Sequence, residues 1–306
     1  MTFSTGTRRS ERLPSWLRRK IPLLAESARI ERAVGRRGLH TICREGLCPN
    51  RAECYSKGKV TFMMLGGVCT RGCRFCSVAT GTPEAVDPGE PRRIAEAAEE
   101  LGLSHVIVTS VTRDDLPDGG ASMFASVIRE LRDLESGPVV EVLVPDFRGS
   151  VRSLETVLEA GPDIFSHNIE TVRRLYPEVR RGADYDRSLG LLAGASEREV
   201  PTKSSFMLGL GESGEEVEEL LGDLRSAGVA YTAVGQYLRP GREQVPVREY
   251  VEPERFAALE EKGRSMGFLE VTAGPLVRSS YQENTVGPRR AAPAGTVSGR
   301  KEEVTR

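Results

Sequence analysis

From about residue 59 onward, short β-branched runs alternate with amphipathic helical stretches, and this alternation constrains the fold more than any other feature. The candidate strands are Val60–Leu65, His105–Val111, Val139–Val144, Ile164–Ile169, Lys203–Leu208 and Tyr231–Leu238. Each is an apolar run of the length expected for a parallel strand covered on both faces. Between them, Ile94, Ala97, Ala98 and Leu101 share one helical face ahead of Gly102. Leu154, Val157 and Leu158 repeat that pattern ahead of Gly161. Ser213 and Glu216 form a capping box that opens a helix with the stripe Val217, Leu220, Leu221 and Leu224. Six such units in series predict an α/β fold with a parallel sheet and right-handed crossovers. Periodicity is compatible with both a partial barrel and an open doubly wound sheet.

In either architecture the chemistry belongs at the C-terminal ends of the strands. Four polar clusters fall there: Cys69–Cys76, Ser110–Asp115, His167–Glu170 and Gly209–Glu212. Asn168, Glu170, Gly209, Gly211 and Glu212 are therefore candidate cofactor-binding residues. His105 starts a strand, at the wrong end for chemistry, and His40 reads as structural. His167 fits either a ligand contact or a satisfied hydrogen-bonding role. The formal net charge of −1 argues against a globally cationic nucleic-acid binder. No apolar run approaches the ~18 residues needed to span a bilayer, so neither a membrane nor a nucleic acid is expected as a partner. No signal-peptide-like stretch is present, and a reducing cytoplasm is the default. The lead-in is rich in arginine (Arg8, Arg9, Arg12, Arg18, Arg29, Arg32, Arg36, Arg37), which is a solvated face or a docking surface.

All six cysteines lie between Cys43 and Cys76. Thiols used as small core hydrophobes would be scattered. The second triplet, Cys69-Thr-Arg-Gly-Cys73-Arg-Phe-Cys76, is a CxxxCxxC loop directly after a strand. Three thiolates can hold three irons of a cubane cluster and leave the fourth open. A zinc site is the alternative, but it favours CxxC pairs and needs a fourth Cys or His nearby, and none follows Cys76 locally, where the polar residues that come next include Thr80 and Thr82. The first triplet, Cys43, Cys48 and Cys54, is compatible on its own with a structural metal clip or with inert thiols.

The CxxxCxxC loop after the first strand resembles the radical S-adenosylmethionine (SAM) superfamily, and the two triplets together resemble the lipoyl synthase family. The likeness extends to Trp16-Leu17-Arg18, Cys48-Pro49-Asn50, Thr61-Phe62-Met63 and the segment from Thr109 to Gly120. It continues through Glu141–Phe147, His167–Thr171, Pro201–Ser204, Met207–Glu212, Gly235–Leu238 and Gly274–Tyr281. It covers roughly residues 14–283. Ser77-Val78-Ala79-Thr80 stands where that family commonly has Asp-Val-Ala-His, and Gln282-Glu283 stands where it often has His-Ala.

The resemblance implies a partial (β/α)6 TIM-type barrel over 59–270. An N-terminal extension over 1–58 carries the auxiliary-cluster cysteines, and a C-terminal segment over 271–306 carries a serine ligand and a mobile tail. Cys69, Cys73 and Cys76 would hold a [4Fe-4S] cluster that cleaves SAM to a 5′-deoxyadenosyl radical. Cys43, Cys48, Cys54 and Ser280 would hold a second [4Fe-4S] cluster that donates sulfur. Ser280 is the second serine of Arg278-Ser279-Ser280-Tyr281. Its oxygen is a harder donor than thiolate and easier to lose from a cluster that must be dismantled. The implied substrate is an octanoyl chain on a lysine of a lipoyl carrier domain, in 2-oxoacid dehydrogenase E2 subunits or the glycine cleavage H protein. Implied further partners are an electron donor such as ferredoxin or flavodoxin and an iron–sulfur carrier that rebuilds the second cluster. A different radical SAM enzyme and a non-catalytic, metal-stabilised binding module are the competing readings.

Overall fold

The computed structural model describes residues 13–18 and 25–281. Gln282, Glu283, the tail from 287, and Arg8, Arg9 and Arg12 of the lead-in lie outside the described residues. The strands in chain order are β1 (His40–Thr41), β2 (Thr61–Met64), β3 (Val68–Cys69), β4 (Ala79–Thr80) and β5 (His105–Ser110). They continue with β6 (Val139–Leu143), β7 (Ile164–Ser166), β8 (Thr202–Leu208), β9 (Tyr231–Gln236) and β10 (Glu270–Gly274). One sheet runs β1-β2-β5-β6-β7-β8-β9-β10, and β3 pairs with β4 separately. Only β1 is antiparallel in the large sheet. The other seven strands are parallel, in the order of the chain, as in a TIM-type barrel left open between its first and last strands.

Six of those seven are the expected strands. The seventh, β10, falls where the sequence suggested a C-terminal extension, because only Val271 of its five residues is buried and no apolar run marks it. The fourth strand is shorter than its apolar run, since the chain leaves β7 at His167. Helices alternate with the strands on the outside, among them Glu90–Leu101, Val151–Glu159 and Gly214–Ser226, the last opened by the Ser213/Glu216 capping box. Among the described residues, no helix is long and apolar enough to cross a membrane.

The outer face of the sheet supplies the core. Val106, Val108, Val140, Val142 and Phe165 are fully buried with helix residues such as Phe124, Val127, Ile128 and Leu131. Phe206, Leu208 and Val234 pack with Leu220, Leu221 and Leu224. Burying each such side chain contributes about 1.5–3 kcal/mol, so the apolar outer layer carries the stability. The inner face is then available for polar groups. Glu141 accepts from Lys203 Nζ at 3.0 Å and from Ser166 Oγ at 2.8 Å, and His105 Nε2 lies 3.2 Å from it. Burial works to raise the Glu141 pKa, but Lys203 and His105 hold it down at about 2. This ionic floor lies near the N-terminal ends of the strands, with the cysteine loop at the opposite ends.

Candidate active site

The CxxxCxxC loop leaves β3 and returns through β4, so that Cys69 stands opposite Thr80 in a two-residue ladder. Thr70 fixes the entrance: its N–H and Oγ1 both donate to the Thr112 carbonyl at 3.0 Å, and its Oγ1 accepts from Asp114 N at 3.0 Å. Arg71 fixes the middle. Its guanidinium bonds Asp114 through Nε and Nη2 at 2.6 and 2.8 Å and reaches Asp146 Oδ1 at 2.7 Å. Asp146 is wholly buried and also meets Arg187 Nε at 2.9 Å. Burial disfavours its charged form, yet Arg71 holds its pKa well below the usual carboxylate range. Arg74 N donates to Val179 O at 2.8 Å, and Gln244 Nε2 donates to Cys76 O at 3.0 Å. Loops from four strand ends thus grip this one segment.

Facing the loop, Asn168 Nδ2 donates to Glu170 Oε1 at 3.1 Å. Glu170 has the left-handed φ of 67° and bridges to Phe206, which turns its carboxylate inward. Burial pushes the Glu170 pKa up against the pull of Arg180, Asn168 and Arg278. Arg180 is held by the Tyr176 hydroxyl at 2.6 Å and by Ser188 Oγ at 3.2 Å. His167 behaves as a satisfied core residue. Its Nδ1 meets Val144 O at 2.8 Å, its Nε2 meets Ser188 Oγ at 3.0 Å, and burial and Arg180 push its pKa down to about 3. Gly209, Gly211 and Glu212 form the next turn of the rim. There the Glu212 carboxylate accepts from Gly209 N at 2.6 Å and Leu210 N at 3.0 Å, so it shapes its own turn. Gly209 has φ +95°, and a Cβ on it would lie 2.2 Å from Gln236 Nε2.

The first triplet is assembled from the extensions. Cys43 lies in the short helix Ile42–Glu45, capped by Thr41, and Cys54 lies in Arg51–Ser56. Between them Cys48 N donates to Cys43 O at 3.1 Å. Asn50 is buried, and its Nδ2 donates to Leu276 O at 2.5 Å, joining this segment to the stretch that carries the serines. Tyr281 Oη donates to Glu53 Oε1 at 3.3 Å. Gly235 permits the approach, because a Cβ there would sit 2.0 Å from Val277 O. Ser280 borders the cavity lined by Cys43, Cys48 and Cys54, whereas Ser279 does not, and Ser279 Oγ is buried without a hydrogen-bond partner.

Cys69, Cys73 and Cys76 share a cavity of about 240 Å³ with Ser110, Asn168, Glu170 and Arg180. Next to it lies a cavity of about 490 Å³, lined by Ile42, Phe75, Leu143, Phe206, Met207, Tyr237 and Val277. Cys76 borders it, and so do Cys43, Cys48 and Ser280. Gly209, Gly211 and Glu212 line neither. Among the described residues no three His, Cys, Asp or Glu side chains gather as for a single metal ion. The soft thiol triplets instead border cavities, which suits clusters whose ligands bind separate irons. Burial pushes Cys43 and Cys76 to about 11 and Cys54 and Cys73 to about 12, so cluster binding must displace protons from them. Asn168 Oδ1 and Ser110 Oγ are buried without a partner and border the first cavity, as a polar ligand beside the open iron would require. The sequence had no signal for Arg180, which belongs to no polar cluster on the rim. Arg278 and Asn50 were visible only as motif letters.

The Radical SAM superfamily model matches residues 63–224. Lipoyl synthase from Caldanaerobacter subterraneus subsp. tengcongensis is 52% identical over 273 residues, 88% of this chain and 95% of that protein. Lipoyl synthase from Thermus thermophilus is 50% identical over 277 residues, 89% of this chain and 86% of that one. Among solved structures, the FeFe-hydrogenase maturase HydG from Carboxydothermus hydrogenoformans aligns over 68% of this chain and 52% of its own, with a TM-score of 0.57 at 15% identity. Streptococcus suis SuiB bound to S-adenosylmethionine aligns over 71% and 50%, with a TM-score of 0.52 at 14% identity. This chain spans about half of each, and both likenesses concern the fold alone.

Proposed function

The chain belongs to the lipoyl synthase family of the radical SAM superfamily, and from that premise we propose which of its residues carry the reaction. The activity is radical insertion of two sulfur atoms, at C6 and C8 of a protein-bound octanoyl-lysine, to give lipoyl-lysine. It uses SAM and two [4Fe-4S] clusters. When bound, the cluster on Cys69, Cys73 and Cys76 supplies the electron that splits SAM into the hydrogen-abstracting radical, and the auxiliary cluster on Cys43, Cys48, Cys54 and Ser280 supplies sulfur.

Cys69, Cys73 and Cys76 would hold the catalytic cluster from one loop, and on the same cavity Asn168 Oδ1 would accept from the amino group of the methionine moiety while Ser110 Oγ would donate to its carboxylate. Arg180 holds a positive charge there, beside a Glu170 carboxyl whose charged form burial disfavours. Gly209, Gly211 and Glu212 contribute by giving the rim its shape. Leu143, Phe206, Met207 and Tyr237 offer an alkyl chain apolar walls and exclude water from a reactive carbon. Ser280 would hold the auxiliary cluster through oxygen, a harder donor than thiolate and a weaker match for a sulfide-rich cluster. The observation that carries this reading is the single apolar cavity bordered by cysteines of both triplets. One acyl chain lying in it would meet the radical source and the sulfur source without leaving the protein.

Octanoylated lipoyl domains are the substrates. We propose 2-oxoacid dehydrogenase E2 subunits and the glycine cleavage H protein as their bearers. A ferredoxin or flavodoxin would be the reductant, an iron–sulfur carrier would rebuild the spent cluster, and free thiols of this kind suit the cytoplasm. The test is anaerobic incubation of reconstituted protein with reductant, SAM and an octanoylated carrier peptide, read by mass spectrometry. A peptide with two added sulfurs and 5′-deoxyadenosine is expected. Release of 5′-deoxyadenosine with an unchanged peptide would sink the substrate assignment, and no cleavage at all would sink the enzyme.

A further inference from the structure

Among the described residues, four border both the apolar cavity and a second one of about 620 Å³ that Cys54 also lines. Three of them, Cys43, Cys48 and Ser280, are donors proposed for the auxiliary cluster. The fourth is Arg278. Its guanidinium sits against β9, where Gly235 makes room: a Cβ there would lie 3.0 Å from Arg278 Nη1. A guanidinium has five N–H donors. Nη1 donates to Val277 O at 2.6 Å, and no other acceptor meets the group among the described residues. Arg29 and Lys57, cations on the second cavity, are paired with Glu26 and Glu53 at 3.0 and 2.7 Å. Arg239, the other arginine on the apolar cavity, donates to the Gln244 and Arg242 carbonyls. The ionisable groups that act on Arg278 are instead Cys48, from the auxiliary triplet, and Glu170, from the rim facing the catalytic loop.

Arginine keeps its charge even where burial opposes it. A cluster held by thiolates and an oxygen is an anion, and away from water a nearby cation acts on it strongly. Its reduction potential follows net charge and the hydrogen bonds its sulfurs receive. We propose that Arg278, through its unused N–H donors and fixed charge, raises the reduction potential of the cluster held by Cys43, Cys48, Cys54 and Ser280, readying it for the electron that sulfur insertion leaves behind. The inference rests on the reading above, because only a sulfur-donating cluster receives that electron. When a carbon radical bonds to a cluster sulfide, the radical contributes one electron and the sulfide lone pair two. Two of them form the C–S bond, and the third reduces one ferric iron to ferrous. No proton moves. Arg278 stands on the wall that the acyl cavity and the auxiliary ligands share, so it can balance that added negative charge.

The experiment uses the full chain as C69A/C73A/C76A, reconstituted anaerobically so that only the auxiliary triplet can hold a cluster, whose type is read by Mössbauer spectroscopy. Reductive titration followed by electron paramagnetic resonance compares it with the same protein carrying R278M, R278Q or R278K. R278M should lower the equilibrium constant for reduction by roughly tenfold or more, about 59 mV for one electron. R278K, which keeps the charge, should recover part of that shift. In the chain with all six cysteines, equilibrium dialysis should find SAM bound as tightly by R278M as by wild type. An unchanged auxiliary potential in R278M would overturn the proposal, and weakened SAM binding beside it would move Arg278 to the catalytic site. If R278M holds no iron, R278Q is titrated in its place, and its potential must lie below that of R278K. Loss of iron from R278Q as well would make Arg278 a structural residue and overturn the tuning role. Failure of the protein that retains Arg278 to take up any [4Fe-4S] cluster would instead overturn the functional reading.

Discussion

The two cysteine sites are built by opposite means. The Cys69–Cys76 loop is part of the barrel, tied to loops from four strand ends and to a buried Arg71–Asp146 ion pair. The Cys43–Cys54 segment follows the antiparallel edge strand β1, touches the catalytic loop where Ser77 Oγ donates to Glu45 O at 2.8 Å, and meets the segment of Ser280 through side-chain bonds from Asn50 to Leu276 and from Tyr281 to Glu53. Rigidity goes with the site proposed to present one open iron in the same geometry at every turnover. Looser assembly goes with the site proposed to give up its sulfur. The contrast can be broken by substitutions that touch one site and spare the other.

The largest effects come from the ligands. Cys73→Ala should abolish both 5′-deoxyadenosine release and sulfur insertion. Cys43→Ala should retain 5′-deoxyadenosine release and lose sulfur insertion, because the proposed radical source has its own three cysteines. Chromatography of the nucleoside beside mass spectrometry of the peptide distinguishes the two. Equal loss of nucleoside in both variants would mean that the sites are not independent.

Next is Arg71→Leu. Removing one partner of a buried ion pair costs about 3–5 kcal/mol, and Asp146 has no exposed surface on which to recover solvation. Thermal unfolding should fall by many degrees, and iron should be lost from the catalytic site before the auxiliary one. The pH dependence has a definite sign. The folded pKa of Asp146 is depressed, so its contribution is fully present above the ordinary carboxylate range and disappears as pH falls below it. Denaturant unfolding between neutral and acid pH should therefore converge for wild type and R71L. A constant gap would remove Asp146 from the account.

Gly235→Ala is expected to act on the other site. Its Cβ would meet the Val277 carbonyl at 2.0 Å, so the C-terminal segment must move or the strand must yield. Overpacking of this kind costs about 1–3 kcal/mol. Auxiliary iron should drop while catalytic iron holds, as counted by Mössbauer spectroscopy. Loss of both together would show that β9 is shared equally by the two sites.

The same contrast governs what the sequence alone revealed. CxxxCxxC is legible because three ligands of one cluster lie within one loop, and the loop follows a strand whose apolar run is unmistakable. Cys43, Cys48 and Cys54 were legible only through family likeness, since Ser280, the fourth ligand proposed for them, is more than 220 residues away and looks like any polar turn. Strand β10, which leads to Ser280, buries too little to leave a pattern. Arg180 was invisible for another reason. Its place is set by Tyr176 and Ser188 after folding, and no local spacing encodes that meeting.

The smallest effect is the most direct measure of looseness. Tyr281→Phe removes one hydrogen bond to Glu53, at 3.3 Å, and leaves the ring in place. A bond of this kind contributes about 0.5–1.5 kcal/mol, too little to unfold the barrel. At the auxiliary site, however, it joins the cysteine segment directly to the residue that follows Ser280. The variant should therefore lose auxiliary iron to a chelator several times faster than wild type, while its catalytic iron is released at the wild-type rate and its melting temperature hardly moves. Unchanged chelation would mean that this bond does not hold the junction, and N50A, which removes the bond to Leu276, should then show the larger effect.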